Sequence, residues 1–180
     1  MKILVRIILV IVAIIAILLI IGLFTQSKYA VEREVVINKP KQEVFNYIKL
    51  IKNQDNYSKW AKMDPNARKD YKGTDGTVGF VSAWNSDIKD VGQGEQEIKN
   101  ITDGQRIDLG LHFIKPFEGK ATAYMTTESV TDNQTKVKWG FNGNMHYPMN
   151  LMLLFMNMDK MLGGDLQTGL DNLKGILEKQ

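Results

Sequence analysis

The sequence predicts an α+β fold in which an antiparallel β-sheet is followed by a long C-terminal α-helix and preceded by an apolar N-terminal helix. Residues 7–24 form an uninterrupted apolar run. From about residue 70, apolar and polar side chains alternate between turns rich in glycine and aspartate, which is typical of strands. From residue 148 onward, apolar side chains recur at helical spacing. With 180 residues, 44% of them hydrophobic, the chain can build about one domain with its own core.

The N-terminal apolar run is long enough to cross a membrane. As a helix, residues 7–24 span roughly 27 Å, close to the thickness of the hydrocarbon layer. The apolar part of a cleaved signal peptide is shorter, about 7 to 15 residues, and ends at a small-residue cleavage site, for which Thr25-Gln26-Ser27 is the weak candidate here. We therefore expect residues 1–27 to be a retained membrane anchor, with a cleaved signal as the alternative.

The distribution of charge predicts the orientation of this anchor and excludes one class of partner. Lys2 and Arg6 precede the apolar run, so the N-terminus is expected to stay cytoplasmic and residues 28–180 to be extracytoplasmic. Without those two residues, 21 of the 23 basic side chains remain against 20 acidic ones, so a nucleic-acid-binding groove is not expected. The absence of cysteine excludes disulfides and thiol chemistry.

The first elements after the anchor follow from short patterns. A strand is predicted over residues 29–37, where valine and isoleucine alternate with glutamate. A helix follows, because Asn38 can cap it and Pro40 suits its first turn. Residues 53–65 predict a short second helix or a loop that docks Tyr57, Trp60 and Met63. Five further strands are expected in antiparallel succession, at residues 80–84, 91–101, 105–113, 120–130 and 135–143.

The end of the chain predicts one long helix that begins at Pro148. In its first half, methionines recur at spacings of three and four, while leucines and Phe155 form a second stripe, so this half must be covered on most of its surface. Beyond Gly163 and Gly164 a single leucine stripe remains, as in an ordinary amphipathic helix. Two glycines within a helix cost about 1 kcal/mol each relative to alanine, which predicts a bend or a close backbone contact there.

A series of landmarks resembles a known superfamily. They are NKPKQEVFNYI, WAKMDP, GTVG with Trp84 after it, VGQGEQEI, TKVKWGF and MLGGDLQTGLDNLK. Over about residues 30–180 the chain resembles the polyketide cyclase/dehydrase-type members of the START-like (SRPBCC) superfamily. The resemblance implies the helix-grip fold, in which a strongly curved sheet wraps the last helix. It also implies a cavity between sheet and helix for a lipid, sterol, polyketide or similar apolar molecule. Binders, transporters and enzymes share this scaffold, so the resemblance leaves the function open.

The methionines of residues 145–161 support three interpretations. They can fill the core, line a cavity that accepts an apolar ligand, or bind copper(I) together with His146. The interleaved leucines and Phe155 favour burial over a metal site. Core filling and cavity lining stay open, and as cavity lining the interpretation places Met149, Met152 and Met156 on the helix side of the chamber.

The candidate residues of the sheet side follow from strand alternation. Trp84, Trp139 and Phe141 have inward parity, and Leu111 and Phe113 belong to an apolar face opposite Arg106, Asp108 and His112. Glu95 and Glu97 share one face of their strand, either at the cavity wall, where a carboxylate could act as a general base, or on a solvated face opposite Ile98. We include both among the ligand-binding candidates.

The patterns predict a membrane anchor, and together with the resemblance they predict a protein that binds a hydrophobic small molecule or lipid. No catalytic residue, cofactor or metal is required, and no zinc motif, phosphate loop or nucleophile elbow is present in the sequence. One alternative is a cyclase, dehydratase or hydrolase that uses Glu95 or Glu97 as its base. Another is an interaction module whose methionine-rich helix docks a partner protein over a filled core.

Overall fold

A computed structural model describes residues 2–179 of the chain. Over that range the α-helices are α1 (Lys2–Phe24), α2 (Lys41–Ile48), α3 (Gln54–Tyr57), α4 (Lys59–Met63) and α5 (Met158–Leu177). Short 3₁₀ helices lie at Ile51–Asn53 and Met149–Leu154. The strands are β1 (Lys28–Ile37), β2 (Arg68–Lys72), β3 (Val81–Asn85), β4 (Gln93–Thr102), β5 (Arg106–Lys115), β6 (Gly119–Thr131) and β7 (Gln134–Asn144).

The seven strands form one curved antiparallel sheet in the order β1-β7-β6-β5-β4-β3-β2. Consecutive strands from β2 to β7 are neighbours, because each is joined to the next by a turn or a short loop. The first strand, β1, forms the other edge of the sheet and pairs with β7, so that Val31 lies opposite Phe141. The predicted α+β fold is confirmed. Sequence reasoning missed β2, since RKDYK is polar and forms an edge strand without a buried face.

The second half of α5 packs on the concave face of the sheet and seals the core. Leu166, Leu170, Leu173 and Leu177 are fully buried, as the single leucine stripe predicted. They meet inward side chains of β1, β5 and β7, among them Val31, Leu109 and Val137. Helix α2 adds three buried side chains to the same core, Val44, Phe45 and Ile48.

Glycines let α5 approach the sheet closely. A Cβ on Gly169 would lie 2.7 Å from the Trp139 ring, and one on Gly163 would collide with the Arg33 guanidinium. Arg33 in turn donates to both carboxylate oxygens of Asp159, at 2.8 and 2.9 Å, which ties the start of α5 to β1. The helix runs unbroken through Gly163 and Gly164. Of the two expectations for this pair, the close contact is therefore observed at Gly163.

The prediction of one helix from Pro148 onward is wrong. Met149–Leu154 is a 3₁₀ helix, and α5 begins only at Met158. Asn157 starts the second element, because its side-chain oxygen accepts from the backbone N–H of Lys160 at 3.0 Å. In the first element, the Asn150 side chain donates to the Gly22 carbonyl near the end of α1 at 2.7 Å.

The expected cap of α2 is also wrong. The helix begins at Lys41, with Pro40 in the capping position and no side-chain cap. Asn38 instead binds neighbouring elements. Its backbone N–H donates to Glu178 at 2.7 Å, and its side-chain oxygen accepts from Gln134 at 2.9 Å. These bonds join the end of β1 to the end of the last helix and to the start of β7.

Within residues 2–179, α1 is the one helix long and apolar enough to cross a membrane. Almost its whole length is exposed, and Gly22 is its one buried residue. An apolar helix without protein cover is either a membrane span or a signal sequence.

The glycines of α5 give a matched test of the packing. We expect Gly169→Ala to lower the free energy of unfolding by about 1–3 kcal/mol, because its methyl group overlaps the Trp139 ring. Gly175 lies in the same helix with no neighbouring atom within 4 Å. There alanine is expected to stabilise by up to about 1 kcal/mol through helix propensity. Urea denaturation of both variants measures the difference, and equal effects would contradict the close packing.

Candidate functional site

A chamber of about 400 Å³ lies between the concave face of the sheet and the first half of α5. Its floor is formed by inward side chains of β3 to β7, and its roof by α5 together with α3 and α4. The fully buried leucines of α5 begin where the chamber ends, with Leu166 in both the wall and the core. The same helix therefore fills the core at one end and covers an open space at the other.

Aromatic rings cross the floor of the chamber as a connected series. The ring of Tyr29 lies 6.1 Å from that of Phe141, Phe141 lies 6.4 Å from Phe113, and Phe113 lies 6.2 Å from Trp84. The Trp84 ring also passes over Gly94, and its N–H donates to the carbonyl of Val91 at 3.1 Å. Such large apolar surfaces form a rigid wall for an apolar molecule.

The remaining apolar walls come from the sheet centre and the helices. Trp139 packs edge-on against Trp60 of α4, with ring centroids 6.3 Å apart. Leu109, Leu111 and Ala123 complete the floor. On the roof, α5 contributes Met158, Leu162 and Leu166.

A small polar group interrupts these walls on the side of α3. Gln54 is 7% exposed, and its side-chain oxygen accepts from Gln96 of β4 at 2.9 Å. Its Nε2 is buried without a hydrogen-bond partner among residues 2–179. The buried Ser58 and Ser82 lie in the same chamber wall. Burial raises the pKa of the Tyr29 hydroxyl, which also lines the chamber.

The rim of the chamber is charged and carries one exposed aromatic ring. Lys69 of β2 pairs with Asp55 at 2.5 Å. Lys89, Asp90 and Lys115 surround another part of the opening, where Phe117 is 74% exposed. The opening thus presents charged groups to water around an apolar interior.

Five of the predicted sheet residues lie in the chamber wall: Trp84, Leu111, Phe113, Trp139 and Phe141. Glu95 and Glu97 lie on the opposite face of the sheet. Glu95 is 3.7 Å from His112, and Glu97 pairs with Lys99. Side chains alternate along β4, so the buried Ile98 places Gln96 inward and both glutamates outward.

The predicted place of the methionines on the chamber roof is wrong. Met149 and Met152 are exposed, and Met156 lines a separate groove beside the end of α1. The break between the 3₁₀ helix and α5 rotates these side chains away from the sheet. Met158, two residues after Met156, takes the place assigned to them.

The prediction that Arg106, Asp108 and His112 lie on the outer face is confirmed. Arg106 donates to Asp108 at 2.8 Å and stacks over the ring of Tyr124. Across the same face, the Tyr124 hydroxyl donates to Glu32, which lowers the pKa of that carboxyl group. These side chains form a solvated cluster that stabilises the sheet from outside.

Several wall residues escaped sequence reasoning, chiefly Tyr29, Gln54, Ser58, Ser82 and Gln96. Alternation from Ile98 and Trp84 could have identified Gln96 and Ser82. Gln54 carried no comparable signal, because its polar helix gives no apolar pattern. No group of three His, Asp or Glu side chains in the described part of the chain is placed to hold a metal.

Comparison with known proteins shows the fold. No protein-family model and no curated protein sequence match the chain. Truncated norcoclaurine synthase from Thalictrum flavum superposes with a TM-score of 0.62 at 9% identity, covering 87% of this chain and 97% of that one. Ara h 8.0201 gives 0.57 at 14% identity, covering 85% and 99%. The Aha1 dimer from Colwellia psychrerythraea gives 0.51 at 14%, covering 81% and 96%. The chain thus has the START-like helix-grip fold, as the sequence resemblance implied.

The glutamine pair predicts an asymmetric response to substitution. Gln96→Leu removes the hydrogen-bond donor to the buried Gln54 side-chain oxygen. We therefore expect the free energy of unfolding to fall by about 1–3 kcal/mol. Gln54→Leu removes a buried, half-satisfied amide, and the half-buried Gln96 left behind can hydrate, so its effect should be near zero or stabilising. Urea denaturation of both variants tests this, and a larger loss from Gln54→Leu would contradict the assigned bonding.

Proposed function

We propose that this chain is a membrane-anchored protein that binds a hydrophobic small molecule or lipid in the chamber between the sheet and α5. The observation that supports this most strongly is the chamber itself, about 400 Å³ of space with aromatic and aliphatic walls. Small-molecule sites are typically concave, mostly apolar and about 300–1,000 Å³ in volume. Proteins pack their interiors tightly, so an open space beside a fully buried core favours a ligand over core filling.

Burial of the ligand's apolar surface would provide the affinity. At about 25 cal/mol per Å², a ligand that loses roughly 300 Å² of apolar surface to the walls gains about 7 kcal/mol, before the entropy of binding is subtracted. Gln54, Gln96 and the two buried serines could hydrogen-bond one polar group and so set its orientation. This composition favours a largely apolar ligand with one neutral polar group.

Binding explains the site better than catalysis does. The two carboxylates that sequence reasoning offered as a general base, Glu95 and Glu97, lie outside the chamber. At the rim, Asp55 is paired with Lys69, and Asp64 accepts a hydrogen bond from Ser86. One structural neighbour is an enzyme, norcoclaurine synthase in complex with dopamine and hydroxybenzaldehyde. At 9% identity that similarity concerns the scaffold alone.

The contacts of α1 favour a retained anchor over a cleaved signal. The Asn150 side chain donates to the carbonyls of Gly22 and Thr25, and the backbone N–H of Met145 donates to Ser27 at 2.8 Å. Cleavage near residue 27 would leave Asn150 without these partners. With Lys2 and Arg6 at the cytoplasmic end, residues 28–180 would lie on the extracytoplasmic side.

A substitution that fills the chamber tests ligand binding. We expect Leu111→Trp to weaken binding of the apolar probe N-phenyl-1-naphthylamine at least about tenfold, equivalent to a loss of about 1.4 kcal/mol. The larger ring would occupy part of the chamber. Thr122→Trp adds the same ring on the outer face of neighbouring β6, where Thr122 is exposed, and should bind like the unmodified chain. Equal affinity for all three proteins would place the probe elsewhere and contradict the proposal.

A second test concerns the anchor. We expect the full chain to stay in the membrane pellet after alkaline carbonate extraction and residues 28–180 to be digested only by protease added from the extracytoplasmic side. A chain with Ile11→Lys and Ile15→Lys, which places two charges inside the apolar run, should be extracted into the supernatant. Extraction of the unmodified chain, or digestion from the cytoplasmic side, would contradict the anchor or its orientation.

A further inference from the structure

The last turn of α1 is docked against the segment that follows β7. A Cβ on Gly22 would lie 3.1 Å from Leu151 and 3.2 Å from the Tyr147 ring. The Asn150 side chain is 3% exposed and donates to the carbonyls of Gly22 at 2.7 Å and Thr25 at 3.0 Å. The last carbonyls of a helix have no partner within it. This amide therefore completes the end of α1 and fixes its position on the folded chain.

These contacts set the depth of the segment relative to α1. Gly22 belongs to the apolar run of residues 7–24 and lies two residues before the end of the helix. At a rise of about 1.5 Å per residue, it is about 3 Å from that end. With α1 in a bilayer, Tyr147 and Leu151 consequently lie where the hydrocarbon meets the headgroups.

The surface around this contact is apolar and exposed. We call it the anchor-side patch, and its exposed members are Phe24, Tyr147, Met149, Met152, Leu154 and Phe155. Phe24 and Phe155 are 86% and 82% exposed, far more than is usual for large apolar side chains in a folded protein. A contiguous exposed apolar surface of this kind marks an interaction site.

The charge along the chain favours a lipid surface as its partner. Residues 139–158 contain no Asp, Glu, Lys or Arg. After Phe24 the chain continues through Thr25, Gln26 and Ser27 to Lys28. This order of apolar, aromatic, polar and basic side chains matches the passage from hydrocarbon through headgroups to water.

We propose that the anchor-side patch rests in the interface of the same bilayer that α1 spans. The proposal builds on the proposed membrane anchor. It places the exposed methionines, which do not line the ligand chamber, in contact with lipid. Their flexible, unbranched side chains can adapt to a disordered partner. Asn150 is a positioning residue, since it joins the patch to α1.

The patch also places the chamber beside the leaflet. A groove of about 760 Å³ runs between the end of α1 and residues 153–159, with Phe24 and Phe155 in its walls. Tyr29 and Met158 line both this groove and the chamber. The groove and the chamber therefore adjoin each other at these two side chains.

Single-cysteine labelling of the full chain tests whether the anchor-side patch lies in the bilayer interface. The native sequence has no cysteine, so each introduced cysteine is the one labelled site. Phe155→Cys probes the patch. Ile14→Cys probes the middle of α1, and Val130→Cys probes an exposed site at the far end of β6 from the anchor. Each variant carries the fluorophore NBD and is reconstituted at low density in vesicles of phosphatidylcholine and phosphatidylglycerol that contain lipids with nitroxide-labelled acyl chains.

We expect at least about twofold quenching at position 155, since interfacial side chains lie about 5–10 Å into the headgroup and acyl boundary. A shallow nitroxide should quench position 155 best and a deep one position 14, while position 130 stays bright. Quenching at position 14 without quenching at position 155 would contradict the interfacial position of the anchor-side patch but not the membrane anchor. No quenching at 14 would overturn the anchor as well. If position 155 stays unquenched and the unlabelled Phe155→Cys variant forms disulfide-linked dimers on oxidation, the patch contacts a second copy of the chain instead of lipid.

The role of Asn150 has its own test. Asn150→Ala removes both bonds to the end of α1, so quenching at position 155 should fall while quenching at position 14 is unchanged. An unchanged value at 155 would overturn the positioning role. Asn142→Ala serves as the control, because Asn142 is an exposed amide on β7 that contacts Thr122 and not α1.

Discussion

The distance between α5 and the sheet determines which part of the interior is fully packed and which part contains a chamber. At Gly169 the helix backbone comes so close to the Trp139 ring that a methyl group would not fit. From there to Leu177 the leucine stripe is fully buried. Toward Met158 the helix is held to β1 by the Arg33–Asp159 pair and by the close contact of Gly163 with the Arg33 guanidinium. Leu162 and Met158 line the chamber in this part of the helix. The chamber therefore exists because Leu166 and the leucines after it fill the core, while the start of the helix leaves a space above the sheet.

Much of this arrangement could be predicted from the sequence. Alternation placed Trp84, Leu111, Phe113, Trp139 and Phe141 on the inner face because a strand has one rigid period. The leucine stripe of α5 was equally clear. The turn-bounded strands and landmark motifs gave the fold class, while the polar edge strand β2 had no apolar pattern to reveal it.

The methionine segment was misread for a physical reason. Its spacing is helical, which predicted cover on most sides, but Met149, Met152 and Phe155 are exposed and the protein contact of this segment comes from α1, which is distant in the sequence. Asn150 bonds to the end of α1, and no local sequence pattern encodes this contact. Gln54 was missed likewise, since its burial depends on Gln96, a residue brought near only by folding. Pairings between distant elements are what a single sequence does not display.

The connection between α1 and β1 consists of residues 25–27 alone. Three residues extend at most about 10 Å, and the bond from Met145 to Ser27 shortens that reach further. With α1 in a bilayer, the folded body cannot travel away from the leaflet to which it is attached. A protein built in this way cannot ferry cargo to a second membrane. It can hold a molecule at the surface of its own membrane, and any recipient must come to that surface to collect it.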